Sequence, residues 1–178
     1  MKVAYPIAYR DEIVETQGKL FGRFQCEHPE ADGEDFVTAY MRGKLRSLID
    51  DAAAVPSNMT AEELQREFME REGYVVRPGR PMDPLAADWI GQFYAYYQWR
   101  TGERSRDVIA HIPVRVMVAA YPGLHDLDLP LAVERVSGCA WCKQPDFGGG
   151  KTTTMRCGVH GYMFDPAVGC PVCNNKSR

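Results

Sequence analysis

The stretch DPLAADWIGQFYAYYQWR, residues 83–100, decides the reading of the fold. Asp83 is a residue type that caps a helix by accepting from its first unpaired amides, and Pro84 suits a first turn, where no amide donor is needed. Behind them Leu85, Trp89, Ile90, Phe93, Tyr96 and Tyr97 recur at the three- and four-residue steps that bring side chains onto one helical face. This is the most aromatic stretch of the chain, and its spacing predicts a helix set against a core.

The same period runs upstream. RPGRPMDP, residues 77–84, is too rich in proline for a helix and reads as an extended connector. Before it, Thr60-x-x-Glu63 forms a capping box at the head of AEELQREFMERE (residues 61–72), and Gly73 suits the position just past the end of that helix. GEDFVTAYMRGKLRSLIDDAAA, residues 33–54, carries Phe36, Val37, Tyr40, Met41, Leu45, Leu48 and Ile49 at helical spacing and reads as one helix that Pro56 ends. RDEIVETQGKLFGRF, residues 10–24, puts Ile13, Val14, Gln17, Leu20, Phe21 and Phe24 on one face. The acidic stretch EHPEADGEDF between these helices reads as a solvated loop. Downstream, SRDVIAHIPVRVMVAAYPG starts as a helix and meets Pro113, and its β-branched second half fits either a helix or a strand.

After Gly138 cysteine pairs, glycines and short β-prone runs such as KTTTMRC and GYMF replace the amphipathic helices. The expected fold class is mainly α: a helical domain over residues 1–135, then a small zinc-ribbon-like module with short strands over residues 136–178. Five of the six cysteines fall in the last 40 residues, as Cys139-x-x-Cys142, Cys157-x-x-His160 and Cys170-x-x-Cys173. A two-residue spacer lets both ligands of a tight turn point at one metal, and two such turns complete a tetrahedral zinc site. Zinc would stand in for a hydrophobic core too small to fold such a module alone.

Two ligand sets are open. Cys139, Cys142, Cys157 and His160 make one; Cys139, Cys142, Cys170 and Cys173 make the other. Cys26-x-His28 is a further ligand-like pair that would recruit a second zinc, although Cys26 is expected as a small core residue ending the first helix. Cys26-x-His28 with Cys157-x-x-His160 also supplies the letters of a Rieske cluster. Those two boxes stand far apart across a helical stretch, so an iron–sulfur protein is only a minor alternative.

Apolar residues make up 45% of the 178 and charged residues 25%, a globular composition that argues against disorder. No apolar run is long enough to span a membrane, and MKVAYPIAYRDEIVE has no secretory core, so a cytoplasmic protein is expected. The net charge of −3 is uneven: residues 1–138 carry −6 and residues 139–178 carry +3. Arg77, Arg80, Arg100, Arg104 and Arg106 flank the aromatic helix, an arrangement suited to nucleic-acid backbones and stacked bases. Lys151, in GGGKTTT, is a further candidate for phosphate contact. That segment is no Walker loop, because Pro145 stands where the first glycine belongs. His125, Asp126 and Asp128 form a weaker cation candidate. No nucleophile–base pair, paired carboxylates or cofactor fingerprint marks an enzyme.

The capped helix TAEELQREFMEREG, the connector RPGRPMDP, the helix start PLAADW and the closing CAWC with a second knuckle resemble, in that order, the FlhC-type zinc-containing subunits of transcription activators. The resemblance spans residues 60–173. It implies a helical DNA-binding subunit that works with a partner protein, with Cys139 and Cys142 as the first zinc pair and either Cys157/His160 or Cys170/Cys173 as the second. The chain departs from that family in its histidine ligand, its third pair and its short helical stretch before Cys139. The expectation is a zinc-bearing, non-enzymatic nucleic-acid-binding subunit of a protein complex, with DNA ahead of RNA as ligand. The alternative is a zinc-bearing adaptor that binds protein alone.

Overall fold

The computed structural model describes residues 4–138, together with the backbone of residues 155–156 and 163–164. Among them the helices run in the order α1 (Ile7–Glu27), α2 (Gly33–Arg42), α3 (Lys44–Asp50), α4 (Ala54–Ser57), α5 (Ala61–Arg71), α6 (Pro84–Thr101), α7 (Ser105–His111), α8 (Val114–Leu124) and α9 (Leu129–Ser137). The fold is mainly helical. Two short strands, β1 (Met155–Arg156) and β2 (Met163–Phe164), pair antiparallel, with Met155 opposite Phe164 and Arg156 opposite Met163. None of the described helices is long and apolar enough to cross a membrane.

α6 is the axis. Asp83 Oδ1 accepts from the amides of Leu85 and Ala86, so the cap forms as its residue type predicts. Gly102, at φ 70°, ends the helix in the left-handed conformation that glycine adopts without a Cβ clash. The burial is wider than one face: Ala87, Ile90, Phe93, Tyr94, Ala95, Tyr97 and Trp99 are all in the core. The reason is tertiary, because α1, α7, α8 and α9 all pack around α6. Leu85, expected on the apolar face, is instead 73% exposed at the mouth of the helix.

The largest contact is α1 against α6. Their backbones meet at glycines. A Cβ on Gly91 would lie 2.6 Å from the Gln17 carbonyl oxygen, and one on Gly18 would lie 3.0 Å from the Asp88 carbonyl oxygen. Gln17 Nε2 donates to the Gly91 carbonyl at 2.9 Å across this crossing. At the far end Trp99 Nε1 donates to the Tyr5 carbonyl at 3.0 Å, and the Ala4 amide to the Trp99 carbonyl at 3.2 Å. A second aromatic layer joins α1, α2 and α5. Phe24 and Phe36 stack with centroids 3.6 Å apart, and Phe21 meets Tyr40 edge to face.

The Thr60–Glu63 capping box is present at the head of α5, and Gly73, at φ 67°, follows that helix. Two expectations are corrected, and one open alternative is decided. Residues 33–54 do not form one helix: the chain breaks at Gly43, and the Glu72 carboxylate accepts from the Lys44 and Leu45 amides at 2.8 and 2.6 Å, heading α3 from outside. Pro56 does not end a long helix but lies buried inside the single turn α4. The segment after Pro113 is a helix, α8, despite its valines. Val114 and Met117 are buried at helical spacing, and that packing overrides the β preference of a branched side chain.

The connector at residues 77–80 is extended and strapped to the acidic stretch before α2. Asp32 N donates to the Arg77 carbonyl at 2.8 Å, Gly79 N to that of Glu30 at 3.1 Å, and Gly33 N to that of Arg80 at 3.2 Å. The acidic stretch is therefore not merely a solvated loop: Ala31 is buried and Asp32 caps α2 through the Asp35 amide. In α9, Ala132, Val133 and Val136 join the common core, and Asp128 caps the helix by accepting from the Leu131 amide.

Candidate nucleic-acid interface

The five candidate arginines fall into two groups. Arg77 and Arg80 lie in the strapped connector before α6, and Arg100, Arg104 and Arg106 lie at or beyond its other end. The 18 residues of α6 extend about 27 Å at 1.5 Å per residue. The fold does not gather these residues into one patch. Lys151, and with it Cys139, Cys142, Cys157, His160, Cys170 and Cys173, lies outside the described residues.

Arg77 Nη1 sits 3.2 Å from Asp35 Oδ1 and is largely exposed. The same carboxylate accepts from the Tyr74 hydroxyl at 3.0 Å. Burial, then this hydrogen bond, pushes the Tyr74 phenol well above its ordinary range. Arg80 shares an open cleft with Asp32, Glu34, Asp35 and Thr38. Three carboxylates thus stand near two guanidiniums, so a phosphate approaching either arginine also meets negative charge.

At the other end Arg104 donates to Asp51 Oδ1 at 2.9 Å and to Ser47 Oγ at 3.4 Å, tying the start of α7 to the end of α3. Arg106 lies 3.7 Å from Asp107 and points into solvent. Arg100 is half-buried in the last turn of α6, where a cation faces the negative end of the helix dipole.

The residue that sequence reading missed is Arg46, which is fully buried. Its Nε donates to Ser105 Oγ at 2.7 Å, and its Nη2 lies 3.4 Å from both Asp50 Oδ1 and Gln98 Oε1. Ser105 passes the interaction on: its hydroxyl donates to Asp50 Oδ1 and its amide to Asp50 Oδ2, each at 2.7 Å. One buried ion pair thereby joins α3, α6 and the first residue of α7. The only sequence signal for it is the i, i+4 spacing of Arg46 and Asp50, which surface pairs share.

Cys26 is exposed at the end of α1, which corrects the expectation of a small core residue. Its helical position points away from the face that carries Phe21 and Phe24. The described residues hold no group of three or more His, Cys, Asp or Glu placed to bind a metal. The strand register has one bearing on the metal question: Arg156 and Met163, paired across the hairpin, flank the segment that carries Cys157 and His160.

The chain matches no protein-family model, no curated protein and no solved structure. Any functional reading therefore rests on its own residues.

Proposed function

We propose that the chain is a zinc-stabilised, non-enzymatic subunit that binds nucleic acid, DNA in preference to RNA, within a multi-protein complex. The observation that carries this reading is the tail. Three ligand pairs at two-residue spacing stand in the last 40 residues, where the charge turns from −6 to +3. Thiolates on short turns select zinc in a reducing cytoplasm. The hairpin pairing beside Cys157 and His160 is the kind of backbone on which such a ribbon is built. Lys151 and the tail's other basic residues would contact phosphates, with Arg100, Arg104 and Arg106 on one side and Arg77 and Arg80 on the other as further contacts.

Fluorescence anisotropy with labelled DNA and RNA, titrated at several salt concentrations, tests the reading. Phosphate neutralisation releases counterions, so affinity should fall steeply as salt rises. A flat or absent response would favour a zinc-bearing adaptor that binds protein alone. The carboxylates around Arg77 and Arg80 support that second reading. Metal analysis is the companion measurement. The purified protein should be colourless and carry one or two zinc ions, and Cys139→Ser should lose one zinc while α1 to α9 stay folded. Iron with visible absorbance would replace both readings with an iron–sulfur protein.

A further inference from the structure

Gln17, Tyr40, Arg46 and Ser57 line a cavity of about 10 Å³ where α1, α2, α3 and α4 meet, with Ile13 and Ile49 among its apolar walls. Each of the four polar residues brings a buried atom that has no hydrogen-bond partner within the fold: Gln17 Oε1, Tyr40 Oη, Arg46 Nη1 and Ser57 Oγ. Gln17, Tyr40 and Arg46 are almost wholly inaccessible to solvent. Buried polar groups in native proteins are almost always partnered, because leaving one unmade costs its full desolvation. Six side-chain atoms among the described residues lack a partner, and four of them belong to the walls of this one cavity. That clustering identifies a ligand site rather than scattered packing defects.

The chemistry narrows the ligand. Arg46 Nη1 can only donate and Gln17 Oε1 can only accept, while the two hydroxyls do either. The matching guest accepts about two hydrogen bonds and donates about two. The volume is that of a single water, which needs roughly 10–15 Å³ and two to four polar partners. The charge on Arg46 is already balanced by Asp50, 3.4 Å away and buried. A neutral guest fits that balance, and an anion would leave an uncompensated charge in the interior. We propose that this cavity is a binding site for one ordered water molecule. The water accepts from Arg46 and one hydroxyl and donates to Gln17 and the other, so that α1, α2 and α4 are joined through it to the Arg46–Asp50 pair.

A crystal structure of the full chain, at a resolution that orders internal solvent and from crystals grown with and without sodium bromide, tests the site. The expected result is one solvent peak within about 2.7–3.2 Å of at least three of the four atoms, with no anomalous signal in bromide. A bromide peak on Arg46 would overturn the proposal in favour of an anion site. Arg46 Nη1 donating directly to Tyr5 Oη, with the cavity closed, would overturn it as well. That outcome competes with the water because the Arg46 guanidinium lies close enough to the Tyr5 phenol to favour its ionised form against burial, while Tyr5 Oη is itself without a geometric hydrogen-bond partner. In solution, cross-relaxation between water and the Arg46 guanidinium protons reports the same contact. Its absence in the folded protein would also count against the site.

Discussion

Two arginines near one another on either side of the α3–α7 junction face a carboxylate each, yet their surroundings make them unequal. Arg46 and Asp50 are both buried, whereas Arg104 and Asp51 are each about half exposed. Removing one partner of a buried pair strands the other, so Arg46→Met should cost about 3–5 kcal/mol. Arg104→Ala should cost less than about 1 kcal/mol, as exposed pairs do. Urea unfolding at constant m-value measures both, and equal losses would mean that the buried network does not hold α7. Arg77→Ala with Arg80→Ala should weaken nucleic-acid binding while leaving the melting temperature nearly unchanged, because Arg77 has only an exposed ion pair to lose. Unfolding of that double variant would make these arginines structural. Arg46 was illegible for a specific reason. In KLRSLID the apolar period points Leu45, Leu48 and Ile49 inward, but the buried positions are Arg46 and Ile49, while Leu48 is 49% exposed. The face is turned by about one residue because Ser105 and Gln98, 59 and 52 positions away, supply the partners that let a charge enter the core. No local pattern contains that information.

Helix starts were readable because a cap is a local interaction. Asp83 with Pro84, and Thr60 with Glu63, form as their spacing predicts. The break at Gly43 was not readable, because the carboxylate that heads α3 belongs to Glu72, 28 positions on. The pairs around Cys139, Cys157 and Cys170 lie outside the described residues, and their spacing alone does not say which two pairs would share an ion. The α1–α6 crossing yields a prediction at this scale. Gly91→Ala would push a methyl carbon to within 2.6 Å of the Gln17 carbonyl, which is rigid backbone. The helices must separate, at a cost of about 1–3 kcal/mol or more. Gly73→Ala makes the contrast. It meets nothing within 4 Å, and only its φ of 67° is unfavourable, so it should cost about 1–2 kcal/mol from backbone strain alone. Denaturation midpoints compare the two, and the α1–α6 nuclear Overhauser contacts should shift in Gly91→Ala only.

Across the whole molecule the protonation of buried phenols sets an alkaline limit. Burial raises Tyr5 and Tyr40, and burial together with its bond to Asp35 raises Tyr74. Each favours the neutral phenol in the native state, while an unfolded tyrosine ionises near pH 10. Their contribution is therefore complete below about pH 10 and is lost as pH rises above it. Melting temperature should stay level from neutral pH to about 9.5 and then fall, and Tyr74→Phe should soften the fall. A decline that begins near neutrality would point to other groups. The packing of α1 against α6 has one more consequence. Gln17 finds its acceptor in Gly91, 74 residues later, and Trp99 closes over Tyr5 later still. A ribosome adding about 5–20 residues per second leaves the face of α1 that carries Gln17, Gly18 and Gly22 without its α6 partner for several seconds, longer still while α6 clears the exit tunnel. During that interval the nascent chain is a substrate for holding chaperones, and messages truncated before the codons of α6 should yield polypeptides that are degraded rather than stored.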